Sequence, residues 1–256
     1  MKAPAFDYAR PRDVAEALKL LGEGGRPAAG TQSLGPMLNL RVAHPKLLVD
    51  IRFIDELKST SENAEAVTLG ACVTHAEIED RRVPDPTRGF MSSVAANISY
   101  RAVRNRGTIG GSLAHADPAA DWPAALTLLG ATAVIAGPNA RREVPVELFI
   151  TGIFTTVLEP EELLVAIRIP KRSPRARYGY WKFCRKAGEF AHAIGAALHD
   201  PERNESRAVI GALQGPPFLL RDAELTDDAL ATAGDDAYSR QLHVVALKRA
   251  VAQIVQ

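Results

Sequence analysis

Apolar residues recur with helical spacing at Val14, Ala17, Leu18 and Leu21, directly after Pro11-Arg12-Asp13. They predict a helix whose first turn carries a carboxylate, where the helix dipole favours negative charge. Gly22, Gly24 and Gly25 end it. A second apolar set, Met37, Leu38 and Leu40, follows the small, glycine-bearing loop 26–36 and reads as another helix. Lys46 to Ile51 is too short an apolar run for a helix and predicts a buried strand. Val67 to Val73 predicts a strand leading into a helix, with Thr74 as N-cap and Glu77 at the spacing of a capping box. Gly89 to Ile98 is small and apolar enough for a buried helix. Ala131 to Ala136, Arg142 to Val146 and Leu163 to Ile169 predict strands, the last stopped by Pro170. Beyond the polar break at 171–175, strands are expected at Tyr178 to Phe183 and Ala208 to Leu213. The polar stretch His199 to Arg207, with Pro201, reads as an exposed turn outside any sheet. From Asp235 the pattern predicts an amphipathic helix, its apolar positions Leu242, Val245, Leu247, Val251 and Ile254.

Composition narrows the class. A chain of 256 residues that is 46% hydrophobic can bury a sizeable core in one to three units. With 31 Lys+Arg against 30 Asp+Glu, there is no electrostatic case for nucleic acid or an anionic membrane. The N-terminal residues have no apolar signal region, and no run is long enough to span a bilayer. A cytoplasmic protein is therefore expected. The two cysteines, Cys72 and Cys184, exclude a disulfide scaffold and any iron–sulfur cluster held by four cysteines of this chain. Both read as small core hydrophobes.

Candidate chemistry concentrates in Arg101 to Leu126. Gly107-Thr108-Ile109-Gly110-Gly111-Ser112 has adjacent glycines, where backbone can approach a bulky ligand or take positive φ. Successive free N–H groups in such a turn form a concave anion nest. An ordinary turn between apolar elements is the other reading. The loop around Gly30 precedes a helix and is a second favourable place for phosphate. Together the two loops suit the pyrophosphate of a dinucleotide cofactor. No G-x-G-x-x-G follows a strand and no P-loop is present, which argues against a Rossmann site and nucleoside triphosphate hydrolysis. His115, Asp117 and Asp121 lack a recognised metal-ligand spacing. Ser112 lies outside a nucleophile elbow. Arg101, Arg104 and Arg106 read as a solvated face, or as a surface that docks a partner or steers an anion.

Nearly end to end, these segments resemble the FAD-binding medium subunit of molybdenum hydroxylases, the group of carbon monoxide dehydrogenase and the xanthine dehydrogenase flavin domain. Ala29-Gly30-Thr31-Gln32-Ser33-Leu34 resembles the family loop A-G-G-T/Q-x-L, and Leu48-Val49-Asp50-Ile51 the strand after it. Thr108 to Ser112 with His115 to Asp121 resembles T-I-G-G-N … A-D-P-A-A-D. Glu161 to Leu164, through Ile169-Pro170, resembles the strand closing the flavin domain. Lys182, Arg185 and Gly188-Glu189 resemble K-x-x-R-x-x-G-D, and Asp235 to Arg240 with the following helix the last element. The resemblance implies an α+β fold: a two-part FAD-binding domain of the PCMH (vanillyl-alcohol oxidase-like) type, at 1–56 and 57–172, plus a C-terminal domain at 173–256 like that of carbon monoxide dehydrogenase flavoproteins. It implies FAD as cofactor. Backbone groups of Ala28, Ala29, Gly30, Thr31, Gln32, Ser33 and Leu34, with Thr108, Ile109, Gly110, Gly111 and Ser112, would hold its pyrophosphate. Asp121 would bond its polar portion. Val165 would lie against the flavin ring, Lys182 near it, and Ile98 where some relatives place an aromatic contact. No acid–base catalytic residue is implied.

The implied partners are a [2Fe–2S] small subunit and a molybdopterin-binding large subunit, in a dimer of heterotrimers, with electrons leaving through FAD to an external acceptor. Departures are a single glycine at Ala29-Gly30, Ser112 for the commoner asparagine, and Glu189 for aspartate. Ser112 keeps a hydroxyl that donates or accepts. Two further readings compete: a free-standing FAD oxidoreductase, and a non-catalytic assembly protein whose glycine loops are plain turns.

Overall fold

The computed structural model describes residues 2–221 and 236–255. Each of the three larger sheets is drawn from one stretch of chain. The first stretch runs β1 (Asp7–Ala9), α1 (Val14–Gly22), β2 (Arg26–Ala28), α2 (Leu34–Asn39) and β3 (Leu47–Asp50), its strands forming a parallel sheet ordered β1-β3-β2. α1 buries Val14, Ala17 and Leu21. Its N-cap is Asp13, which accepts from the Glu16 N–H at 2.8 Å. The carboxylate thus satisfies one of the donors a helix start leaves open, besides meeting the dipole.

The second stretch holds β4 (Thr60–Glu62), β5 (Ala66–Gly70), α3 (His75–Glu79), α4 (Phe90–Ala96), α5 (Arg101–Arg104), α6 (Ile109–His115) and α7 (Asp121–Leu129). It continues through β6 (Thr132–Ala136), β7 (Arg141–Pro145), α8 (Val146–Phe149), the hairpin β8 (Ile150–Gly152) and β9 (Thr155–Thr156), and β10 (Leu163–Pro170). The main sheet is antiparallel, ordered β4-β5-β10-β6-β7. α3 starts in a complete capping box, Thr74 and Glu77 bonding each other's backbone. α7 is buried along its whole length, so its sequence carries no polar face. A β-bulge between Leu164 and Ala166 breaks the alternation of β10. Leu164, Ile167 and Ile169 therefore face one core, while Leu163 and Val165 face the other.

The third stretch is an antiparallel sheet in chain order, β11 (Arg177–Phe183), β12 (Ala193–Asp200), β13 (Glu205–Gly211) and β14 (Phe218–Arg221), with α9 (Ala237–Val255) packed on it. Two sequence expectations are corrected here. Residues 199–207 are not an exposed turn: β12 and β13 pair up to Asp200↔Glu205, leaving 201–204 as the connection. Their polar side chains are engaged, His199 with Ser206 at 3.0 Å and Arg207 with the Thr127 carbonyl at 2.9 Å. Arg172 reaches the Leu129 carbonyl at 3.1 Å, so two guanidinium groups satisfy the C-terminus of α7 and tie the second stretch to the third.

The second correction concerns α9, which buries His243, Ala246, Leu247 and Ala250, while Leu242 and Val245 are half-buried. A Cβ on Gly195 would collide with the Ala246 backbone, and one on Gly179 would fall on the Ala250 carbonyl oxygen. The helix seats backbone-close on the sheet, so small residues occupy the contact that large ones were expected to fill. Asp235, the expected start, lies outside the described residues. Gly179→Ala should overpack this seam and destabilise the fold by about 1–3 kcal/mol. Urea denaturation reads it as a lowered midpoint; an unchanged midpoint would contradict the close seating.

Cys72 is buried, and burial pushes its thiol up to about 12, as suits a core position. Cys184 is only half-buried, which corrects its core reading. No helix among the described residues is long and apolar enough to cross a membrane.

Candidate functional site

The two glycine-bearing loops meet in space. A Cβ on Gly30 would fall on the Arg106 carbonyl oxygen and 2.7 Å from the Gly107 Cα, so the chains touch backbone to backbone. Around this contact lies a cleft of about 910 Å³ to which all three stretches contribute. Ala29, Gly30, Thr31, Gln32, Ser33, Leu34, Ile98, Thr108, Gly110, Gly111, Ser112, Asp121 and Lys182 line it. Ala28, Ile109 and Val165 do not. Ala28 is buried in β2, and Ile109 is fully buried in the main core. Val165 shares the face of Leu163 and packs into the cluster of Ile54, Leu57 and Cys72, and Leu163 and Leu164 supply that part of the wall.

The first loop leaves several backbone donors unspent. Thr31 has φ 57, a left-handed conformation that is strained for a β-branched residue. The loop's carbonyls are used internally: Thr31 accepts from Gly35 at 2.8 Å, Ser33 from Met37 at 3.0 Å, and Gly30 from the Gln32 side chain at 2.8 Å. The N–H groups of Thr31, Gln32, Ser33 and Leu34 meet no acceptor among the described residues. Successive free backbone donors beside a left-handed residue are the arrangement from which anion-binding concavities are made.

The second loop differs from expectation. Residues 109–115 are helical, and their first N–H groups are spent inside the fold. Ile109 donates to the Val73 carbonyl and Gly110 to that of Ala71, both at 3.0 Å. Gly111 donates to Thr108 Oγ1 at 3.0 Å and Ser112 to the Thr108 carbonyl at 2.9 Å. The anion nest expected here is therefore absent, because a capped helix start and the end of β5 take its donors. The glycines serve close packing instead: a Cβ on Gly110 would overlap that of Ala71. This segment offers the cleft a flat wall and the Ser112 hydroxyl.

Asp121 opens α7 and is buried, yet it is fully engaged. Lys182 Nζ lies 2.9 Å and 3.0 Å from its two carboxylate oxygens, and the Tyr180 hydroxyl donates to Oδ1 at 2.7 Å. Lys182 also donates to the Asn97 carbonyl at 2.7 Å. Burial raises the Asp121 pKa, opposed by the ammonium and the two hydrogen bonds. Burial lifts Tyr180 well above the usual tyrosine range, so it stays a donor. His75, in the cleft wall, accepts at Nδ1 from the Trp122 indole N–H at 3.0 Å. Burial, and secondarily the Arg104 charge, lower its pKa to about 4, which keeps it neutral.

Sequence reasoning missed Tyr180, His75 and Phe190, an exposed phenylalanine at the cleft rim. Tyr180 was legible only through Lys182, two residues along the same strand face. Within the basic run Arg101 pairs with Asp80 at 2.6 Å and Arg104 with Glu79 at 2.7 Å, while Arg101 and Arg106 are exposed. Among the described residues no three His, Cys, Asp or Glu side chains cluster as metal ligands.

Residues 4–172 match the family model for the FAD binding domain in molybdopterin dehydrogenase. The chain is 39% identical to the carbon monoxide dehydrogenase medium chain of Hydrogenophaga pseudoflava over 196 residues, covering 75% of this chain and 68% of that protein. It is 35% identical to the alpha subunit of the 6-hydroxypseudooxynicotine dehydrogenase complex of Paenarthrobacter nicotinovorans, over 88% of this chain and 77% of that one. Among solved structures, carbon monoxide dehydrogenase from Hydrogenophaga pseudoflava superposes with a TM-score of 0.90 at 30% identity, covering 100% of this chain and 99% of the other. Quinoline 2-oxidoreductase from Pseudomonas putida 86 does so with 0.84 at 31% identity, over 100% and 99%.

Proposed function

Because the chain belongs to the family of FAD binding domains in molybdopterin dehydrogenases, we propose that it relays electrons from [2Fe–2S] clusters of a partner subunit through FAD to an external acceptor. The partners would be a small [2Fe–2S] subunit and a large molybdopterin-binding subunit, assembled as a dimer of heterotrimers. Substrate would then be oxidised on the large subunit rather than here. The observation that carries the cofactor's place is the set of four free donors at Thr31 to Leu34. They front a cleft whose volume falls within the range of cofactor sites, about 300–1,000 Å³. These donors would hold the pyrophosphate, Ser112 would add a hydroxyl, and Lys182, paired with Asp121, would lie beside the cofactor. Bound FAD supplies the step between one-electron and two-electron carriers.

The site's own residues fit a relay better than a substrate-oxidising centre. His75 is neutral and bonded to Trp122, and Asp121 is held by Lys182 and Tyr180, so neither is poised as a general base. A plain assembly role leaves the free donors at Thr31 to Leu34 without purpose.

The chain, purified alone and with co-expressed partners, should show a flavin absorption spectrum and release FAD on denaturation. Protein that stays colourless in both forms, and takes up no added FAD, would overturn the reading.

A further inference from the structure

Tyr180 and Lys182 stand two apart on β11 and project to the same face, toward the start of α7. Their target is one carboxylate: Tyr180 reaches Asp121 Oδ1 at 2.7 Å, and Lys182 spans both oxygens. Lys182 and Asp121 line the cleft, and Tyr180 lies behind them. Its ring is fixed edge-on to Phe90, with centroids 6.2 Å apart. Its backbone is fixed as well, to the Gln253 side chain at 3.0 Å. We propose that Tyr180 is a positioning residue for the flavin site, its hydroxyl keeping Asp121 ionised and locked on Lys182 so that the pair presents no net charge to the cofactor.

The inference rests on FAD occupying this cleft. A hydrogen bond donated to a carboxylate favours its charged form, and burial opposes that form. Without the hydroxyl, Asp121 binds a proton at higher pH and leaves the Lys182 ammonium uncompensated. Positive charge beside a flavin favours its reduced state, which carries the added electrons. The remaining charged neighbours do not take over this role. α4 contributes no titratable group, α3 contributes His75, held neutral, and α6 contributes the half-buried His115, whose pKa burial also lowers. Asp117 follows α6 on the cleft wall, and Glu189 lies on the wall bonded to Arg185. Arg207 and Arg172 serve the opposite end of α7. On β12 the strand partner of Tyr180 is Ala196, and His199 and Asp200 lie at the strand's far end.

The test is the flavin midpoint potential against pH, by anaerobic reductive titration of the FAD-loaded holoprotein. Tyr180→Phe keeps the ring against Phe90 and removes only the hydroxyl. It should raise the potential at neutral pH and move the break in its pH dependence upward by about one to two units, the worth of one hydrogen bond to a charged group. Asp121→Asn should abolish the break, and adding Tyr180→Phe to it should move nothing further. A flavin-loaded Tyr180→Phe protein whose curve overlays the wild type overturns this inference alone. A wild-type protein that binds no FAD overturns the reading of the site, and this inference with it.

Discussion

Gly30→Val is expected to weaken FAD binding by about 100-fold, roughly 2.7 kcal/mol. Valine places its Cβ on the Arg106 carbonyl oxygen and near the Gly107 Cα, where both neighbours are backbone and neither can rotate aside. The two loops must separate, and overpacking of this kind strains a structure by about 1–3 kcal/mol. The strain lands on the residue before Thr31, the left-handed start of the cleft-lining segment that carries the free donors. Affinity should therefore fall more than stability. Titrating apoprotein with FAD, alongside a thermal melt, separates the two. A dissociation constant within about threefold of wild type, in a folded variant, would mean that the first loop does not set the affinity.

The parts of this fold that were legible in the sequence are those whose cause is local. Thr74 with Glu77 is a short-range hydrogen-bond pattern that forms as read, and Asp13, read for its charge at the helix start, is there and caps the helix as well. Features set by distant backbone were not legible. Gly110-Gly111 reads as a nest or as an ordinary turn; that it is a packing seat is decided by Ala71 and Val73, far earlier in the chain. Val165 alternates as a strand residue should, but which side of β10 meets the cleft is decided by the cluster of Ile54, Leu57 and Cys72 packed on its face. The seat of α9 depends on Gly179 and Gly195, more than 50 residues earlier, roughly the reach at which no periodicity argument applies. Arg207 looked like surface because its acceptor, the end of α7, is contributed by another stretch. The resemblance supplied Asp121 and Lys182 as separate cofactor contacts; the fold makes them one buried pair with Tyr180 behind it.

That pair should make Lys182→Met the most destabilising single change at the site, by about 3–5 kcal/mol, because it strands a buried carboxylate. The pH dependence has a definite sign. Burial already raises the Asp121 pKa above the usual 3.8, and losing the ammonium raises it further. A folded state that holds a proton the unfolded state releases is most stable below the unfolded pKa, and loses stability as pH rises toward the folded one. The difference between variant and wild type should therefore be largest at neutral pH and shrink on acidification. Taking the difference removes the acid sensitivity of carboxylates both proteins share, such as Glu79 and Glu162, whose pKa values arginine partners lower. Thermal melts across the mildly acidic to neutral range supply the numbers. Adding Asp121→Asn to Lys182→Met should restore much of the loss, since a neutral amide in the same place needs no counter-charge. A penalty that is constant with pH, and that the second substitution does not relieve, would assign the loss to the packing of the lysine stem rather than to its charge.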